Sequence, residues 1–271
     1  YFDGTRRLPP QVFAHNMGQK AAQNLHPQLG NSKGVLGRML DQIALQQSAR
    51  GISSYSIAGN AKMVEGETVA PVIISPDNGV VRLFSQDEPE LPGLIAQVLA
   101  PSTSSIFGET IAELTEAALE GSERVGNALA QVRLSQSFED NAIGKQLLQV
   151  ATIINASDAL QTERQVFFVK VGSFDTHSDN GPIMQGHMTD INNALRSFVA
   201  EVKTQGKWDD VALFSVSEFG RTITSNGAGT DHGWGGHHFL LGGSVNGGKI
   251  HGSYPADLSS SSPLNTGRGR I

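Results

Sequence analysis

The sequence predicts an α/β fold, with a mostly parallel central sheet flanked by helices. Three observations carry the prediction. Val166-Phe167-Phe168-Val169-Lys170-Val171 and Val211-Ala212-Leu213-Phe214-Ser215-Val216 are short apolar runs of the kind that form strands covered on both faces. Between them, Met188, Ile191, Leu195, Phe198, Val199 and Val202 recur at helical spacing and give one apolar stripe. Strand, helix and strand in this order form a βαβ unit, nearly always a right-handed parallel crossover. Clusters of Asp, Glu and His follow these strands, and in an open α/β sheet ligands bind beyond the carboxyl ends of the strands.

The remaining elements follow in order. Residues 1–50 read as a loop and then helices. Pro9-Pro10 interrupts regular structure before Val12-Phe13, and Val35, Leu36, Met39, Leu40, Ile43 and Ala44 recur at helical spacing. Gly51 is placed to stop that helix. Residues 52–84 read as extended: Val69 and Val72–Ile74 form one strand, Pro76-Asp77-Asn78-Gly79 is a turn signal, and Val80–Phe84 returns as the second strand of a hairpin. Residues 86–101, with Pro89, Pro92 and Pro101, read as a surface connection. Residues 108–164 read as helical, with Ile143, Leu147, Val150 and Ile154 on one stripe. Gly206 ends the helix that carries Phe198, Phe239-Leu240-Leu241 begins a further strand, and Ser259–Ser262 reads as a loop. Residues 52–164 are therefore expected as a hairpin and helical insertion, and 165–271 as a βαβ region that carries the site.

With 271 residues, 38% of them hydrophobic and 17% charged, the chain suits a globular protein of one large domain or two small ones. A net charge of −6 argues against a nucleic-acid footprint, and no run is long and apolar enough to span a bilayer. The absence of cysteine excludes disulfides, a cysteine nucleophile and zinc-thiolate sites. Many of the 31 glycines fall after residue 220, where they predict sharp bends or close approach of backbone to a ligand. The chain starts at Tyr1-Phe2-Asp3 and stops at Gly267-Arg268-Gly269-Arg270-Ile271. It is expected to be a piece of a longer protein, and no signal peptide is visible in it.

Three polar clusters carry the candidate chemistry. Asp175-Thr176-His177 follows the first strand, Ser217-Glu218-Phe219-Gly220-Arg221 follows the second, and Thr230-Asp231-His232-Gly233 lies in the loop before the third. In an extended segment positions i and i+2 point the same way, so Asp175 and His177 present a carboxylate oxygen and an imidazole nitrogen to one cation. The adjacent Asp231 and His232 diverge, which suits two metals, or one metal and an outer partner. Oxygen and nitrogen donors without sulfur suit zinc, manganese or another divalent ion. Two such ions about 4 Å apart clamp the attacking and leaving oxygens of a displacement at phosphorus. Arg221 is placed to hold a tetrahedral anion by paired hydrogen bonds.

Each cluster also has a plain structural reading. A lone Asp-x-His is more often a loop-capping pair than a ligand set. Asp175 or Ser173 would serve as a helix N-cap, and Glu218 with Arg221 would be only an ion pair. Taken singly, these readings are favoured; three clusters at three strand ends shift the balance towards a site. Of His237 and His238, at most one faces it. His187 is either a ligand or a cap-region histidine, and His26 and His251 read as structural.

The segments GSFDTHSDN (172–180), WDDVALFSVSEFGRT (208–222) and GTDHGWGGHHFLLGGSVNGG (229–248) resemble the domain of unknown function 1501 family, which belongs to the alkaline phosphatase and sulfatase superfamily. The similarity extends upstream to PPQVFAHNMGQ (9–19) and downstream to GRGRI (267–271), with residues 86–164 matching loosely. The resemblance implies a partial alkaline phosphatase-like domain over 1–271, lacking its N-terminal strand and C-terminal end, that binds one or two divalent metals through strand-end Asp and His. It implies Asp175 and His177 as the first Asp/His loop and Asp231 and His232 as the last metal-ligand loop. Glu218 takes the carboxylate position of a pair whose histidine is replaced by Phe219. His15-Asn16 matches a His-Asn segment of the family and is carried as substrate-binding. The first strand, with an early Asp ligand and the nucleophile just after it, is expected upstream of Tyr1, so no nucleophile is nominated. Family members often carry export signals, which implies a periplasmic or extracellular location.

The leading expectation is a metal-dependent hydrolase of phosphate or sulfate esters, on small molecules or glycans. Zinc is the expected cofactor, with manganese, magnesium or calcium as alternatives. Asp175, His177, Asp231 and His232 are the expected ligands, Glu218 a ligand or outer base, and Arg221 the anion clamp. The alternative is a non-catalytic, metal-dependent binding protein for an anionic or sulfated glycan, with Phe219 marking the loss of turnover. A third reading is a structural domain whose acidic loops hold calcium, which coordination by oxygen alone would mark.

Overall fold

The strand at the centre of the sheet is mostly serine. It is β1 (Ile52–Ser56), and the structure that shows it is a computed structural model describing residues 14–26, 28–29, 32–46, 51–80, 93 and 106–270. Pro9-Pro10, Val12-Phe13, Val81–Phe84 and all but Gly93 of the 86–101 connection lie outside the described residues. β1 runs parallel to β2 (Pro71–Ser75), placing Tyr55 opposite Val72, and parallel to β4 (Arg164–Phe168), placing Tyr55 opposite Phe167. The short β3 (Gly79–Val80) closes the sheet antiparallel to β2, in the order β3-β2-β1-β4. The fold is thus mixed α/β with a mostly parallel central sheet flanked by helices, as expected.

Alternation along β1 explains how serine sits there. Tyr55 points to one face, where its ring stacks on Phe167 with centroids 5.4 Å apart. Ser54 and Ser56 are buried. The Ser54 hydroxyl donates to the Val64 carbonyl at 2.7 Å and the Ser56 hydroxyl to that of Gly59. Hydroxyls buried with partners avoid most of the cost of leaving water. Gly51, expected to stop helix α2 (Val35–Gln46), stands instead at the entry to β1 with φ 52. A Cβ there would come within 1.7 Å of the Gln161 carbonyl oxygen, so the crossing of two backbones demands glycine.

The core joins this sheet to three helices, α3 (Ile106–Ala130), α4 (Ala142–Asn155) and α5 (Asn180–Thr204). Tyr55, Ile74, Val125, Leu147, Ile153 and Phe198 are buried in one cluster. The stripe Ile143, Leu147, Val150 and Ile154 is buried as its spacing predicts. The region read as helical over 108–164 is in fact two helices separated by residues 131–141. The Asn141 side chain caps α4 by accepting from the Gly144 N–H at 2.8 Å. Glu201, on α5 and fully buried, accepts from the N–H groups of Ser135 and Gln136, each at 2.8 Å, and fixes the loop between them. Gly206 stands just past the end of α5 at φ 69, as expected.

Two expectations need correction. The hairpin is not set apart from the sheet: β2 is hydrogen-bonded to β1 and belongs to it. The βαβ unit keeps its order, but β5 (Ala212–Phe214) pairs antiparallel with β8 (Leu240–Gly242), and the parallel neighbour of β4 is β1. Phe214 and Val216 are 45% exposed, so this strand is not covered on both faces. Among the described residues no helix is long and apolar enough to cross a membrane.

Candidate metal centre

The site begins where β4 leaves the sheet. Val169 and Val171 pack on the core. Between them, Lys170 has both backbone groups held by the buried amide of Gln146: its N–H donates to Oε1 and its carbonyl accepts from Nε2, each at 2.8 Å. The loop that follows is pinned from two sides. His187 on α5 donates through Nε2 to the Ser173 carbonyl at 3.0 Å and lies against the Phe174 ring, so it tethers the loop. Arg221 donates to the carbonyls of Phe174 and of Thr230, the latter at 3.1 Å, and to the Thr176 hydroxyl at 3.4 Å. Neither Ser173 nor Asp175 caps a helix, since the N-cap position of α5 is Asp179.

Arg221 and His232 were both expected in loops. They lie in a second hairpin, on β6 (Gly220–Ser225) and β7 (Thr230–Gly233), directly opposite each other in register. The Asn226-Gly227 pair is the local signal for this turn, with Gly227 at φ 100. Because neighbours on a strand diverge, Asp231 and His232 go separate ways. His232 Nε2 lies 2.6 Å from Asp175 Oδ1. Asp231 Oδ1 lies 3.4 Å from His177 Nδ1 and accepts from the Asn226 amide at 3.1 Å.

Asp175 is the common point of the cluster. Its Oδ1 faces His232 and also His177 Nε2 at 2.9 Å, and its Oδ2 faces His15 Nε2 at 3.2 Å. His15 is the first residue of α1 (His15–Asn24), and its other nitrogen faces Glu218 Oε1 at 3.4 Å. Glu218 also accepts from the Gln19 amide at 3.2 Å and makes no ion pair with Arg221 among the described residues. Asn16 is not drawn in: its side-chain oxygen accepts from the Met17 N–H. His237 stacks on Tyr254, His26 faces Arg38, and His251 is exposed.

Phe219 forms a wall of the site. Its ring stacks on His232 with centroids 4.3 Å apart, meets His15 edge-on at 5.6 Å, and lies 5.2 Å from the Arg221 guanidinium carbon. A cavity of about 340 Å³ opens here, lined by His15, His177, Glu218, Asp231, His232 and Arg268 among others. Arg268, in an ion pair with Asp231, was not singled out from the sequence. Its one signal was the Gly-Arg alternation of residues 267–270. The hydrogen bond with His232 holds the Asp175 carboxyl below its ordinary value against the upward push of burial, and the charges of His232, His177 and His15 add to it. The Asn226 amide does the same for Asp231, with His177 and Arg268 contributing.

One atom each from His15, Asp175 and His232 lie within 4.8 Å of one another. Ligands around a tetrahedral zinc, at bond lengths of about 2.0–2.1 Å, stand roughly 3.3 Å apart. The contact of 3.2 Å from Asp175 Oδ2 to His15 falls near that spacing, and that of 2.6 Å from Oδ1 to His232 is shorter. Two nitrogens and a carboxylate oxygen also match the donor preference of zinc better than that of calcium. These residues fit a divalent cation.

Fold and site together define a mixed α/β protein with a half-exposed cluster of imidazoles and carboxylates, gathered from distant parts of the chain. The chain belongs to the DUF1501 family, described as a protein of unknown function, whose model matches residues 2–262. No curated protein and no solved structure matches it.

Proposed function

We propose that this chain forms the metal centre of a hydrolase of phosphate or sulfate esters, related to the alkaline phosphatase and sulfatase superfamily and exported from the cytoplasm. The observation that carries the reading is the convergence of His15, Asp175 and His232, which stand 160 and 57 residues apart along the chain. A zinc ion held there would act as a Lewis acid towards the transferred group and lower the pKa of bound water.

The chain's own residues divide the remaining work. Asp175 offers one oxygen to each of two imidazoles, His15 and His232. Glu218, accepting at Nδ1 of His15, would leave the Nε2 lone pair free for a cation held between His15 and Asp175, the outer-partner arrangement common at metal-bound histidines. Asp231 and Asp175 hold His177 between them, at Nδ1 and Nε2. Phe219 covers one face of His232 and keeps water from it. Arg221, bound to the Phe174 and Thr230 carbonyls, positions the Asp175 loop against the β6–β7 hairpin.

Metal analysis and ester hydrolysis, each with and without chelator, test the proposal. Bound zinc with chelator-sensitive hydrolysis supports it; unchanged hydrolysis by metal-free protein removes it. Phe219, stacked where the superfamily often carries a histidine, favours a second reading in which the pocket binds an anionic or sulfated glycan without cleaving it. Bound metal and bound anion, with no turnover across a broad ester panel, would select that reading.

A further inference from the structure

We propose that Arg268 is an anion-recognition residue of this pocket and grips the tetrahedral oxyanion group, phosphate or sulfate, of the ligand. The proposal rests on the ligand class read above and holds whether the ester is cleaved or only bound.

The first observation is how Arg268 is held. Arg268 has φ 58, a left-handed conformation that L side chains rarely adopt, between Gly267 at φ 98 and Gly269 at φ 69, where glycine adopts it freely. The turn is fastened at its base: the Thr266 N–H donates to the Arg270 carbonyl at 2.9 Å, and the Ile223 N–H on β6 donates to the Gly269 carbonyl at 2.9 Å. A Cβ on Gly269 would lie 2.6 Å from the backbone nitrogen of Thr224, so close packing on β6 imposes the turn. Backbone strain held in place by its surroundings gathers at functional sites. Here it aims an arginine at the cavity.

The second observation is the state of the two arginines. Arg221 is committed to the carbonyls of Phe174 and Thr230. Arg268 lines the cavity, its side chain is 62% exposed, and it meets Asp231 through one nitrogen. A guanidinium has five N–H donors in a planar fork that matches two oxygens of a phosphate or sulfate. Glu218, Asp231, Arg268 and Arg270 all line the cavity and balance in charge, so a divalent cation beside the single carboxylate of Asp175 would leave the pocket net positive towards an anion.

Titration calorimetry with inorganic phosphate and, separately, inorganic sulfate tests the proposal, on metal-free and on zinc-treated protein. Wild-type protein is expected to bind at least one of them. R268A is expected to bind it at least tenfold more weakly. R268K is expected to fall between, because an ammonium supplies charge without the fork. Equal thermal midpoints for the three proteins exclude a folding effect. An R268A protein that binds both anions like the wild type overturns the proposal, as does wild-type protein that binds neither. Zinc content and ester hydrolysis on the same samples separate the two readings. Protein without zinc or turnover, in which R268A still loses the anion, would remove the hydrolase and leave the role of Arg268 standing.

Discussion

His232 on β7 and Asp175 in the loop after β4 meet at 2.6 Å through Nε2 and Oδ1, although 57 residues separate them. That contact ties the small β6–β7 hairpin to the end of the central sheet and sets the spacing of the whole cluster.

Asp175→Ala should therefore disturb the site more than any other single change. It removes the oxygen partner of His15, His177 and His232 together. Zinc affinity is expected to fall by about 100-fold or more, above the 10–100-fold typical of an outer partner. Competition with a chromogenic chelator measures the loss, and unchanged far-ultraviolet circular dichroism shows that the fold persists.

Glu218→Ala should act through His15. The imidazole loses the acceptor at Nδ1, and Gln19 loses its acceptor too. Zinc affinity is expected to drop about 10–100-fold, less than in Asp175→Ala. Equal losses in the two variants would place Glu218 among the ligands themselves.

Asp41 supplies a prediction in stability. Its carboxylate accepts from the N–H groups of Glu67, Thr68 and Val69 and from the Thr68 hydroxyl, at 2.7 to 3.0 Å. Burial pushes the carboxyl up, but these four bonds outweigh it and hold it below its ordinary value. A group depressed in the folded state contributes fully above its unfolded pKa, about 3.9 for Asp, and loses that contribution as pH falls through the folded value. Asp41→Ala is expected to cost about 2–4 kcal/mol at pH 7. Urea unfolding at pH 7 and pH 3 should show the gap to wild type narrowing in acid.

Gln146→Ala should destabilise the exit of β4. It leaves both backbone groups of Lys170 without their side-chain partners in a part-buried setting. The expected cost is about 1–2 kcal/mol, seen as a lower calorimetric midpoint. Zinc binding should weaken with it, because the Asp175 loop starts there.

Much of this architecture is legible in the sequence because apolar spacing reports burial. The α4 stripe follows that rule, and the α5 stripe follows it at Phe198 and Val202 but not at Met188, which is 47% exposed; the turn at Gly79 was legible from Pro76-Asp77-Asn78-Gly79 instead. β1 fell within a stretch read as extended but was not marked as a strand, because Ser53, Ser54 and Ser56 give it no apolar run, and the buried hydroxyls of Ser54 and Ser56 are reconciled only by carbonyls brought in through tertiary folding. β5 was read as covered because its side chains are apolar, yet coverage depends on neighbours that no local pattern records. In the candidate site, Asp175, His177, Glu218, Asp231 and His232 stood out by residue type and by position after strands. The place of His15 beside Asp175 could not be read, because a pairing over 160 positions leaves no mark in local spacing. Arg268 was hidden for a different reason: its placement comes from a left-handed turn.

The cluster reaches from residue 15, through 175 and 232, to the turn at 268. A chain that forms such contacts must close loops spanning nearly its whole length, while α4 and α5 can form from near neighbours. Distant contacts are slow to form. Recovery of ligand binding after dilution from denaturant should accordingly lag the return of helical signal, and an early kinetic species would carry native helices without a working pocket.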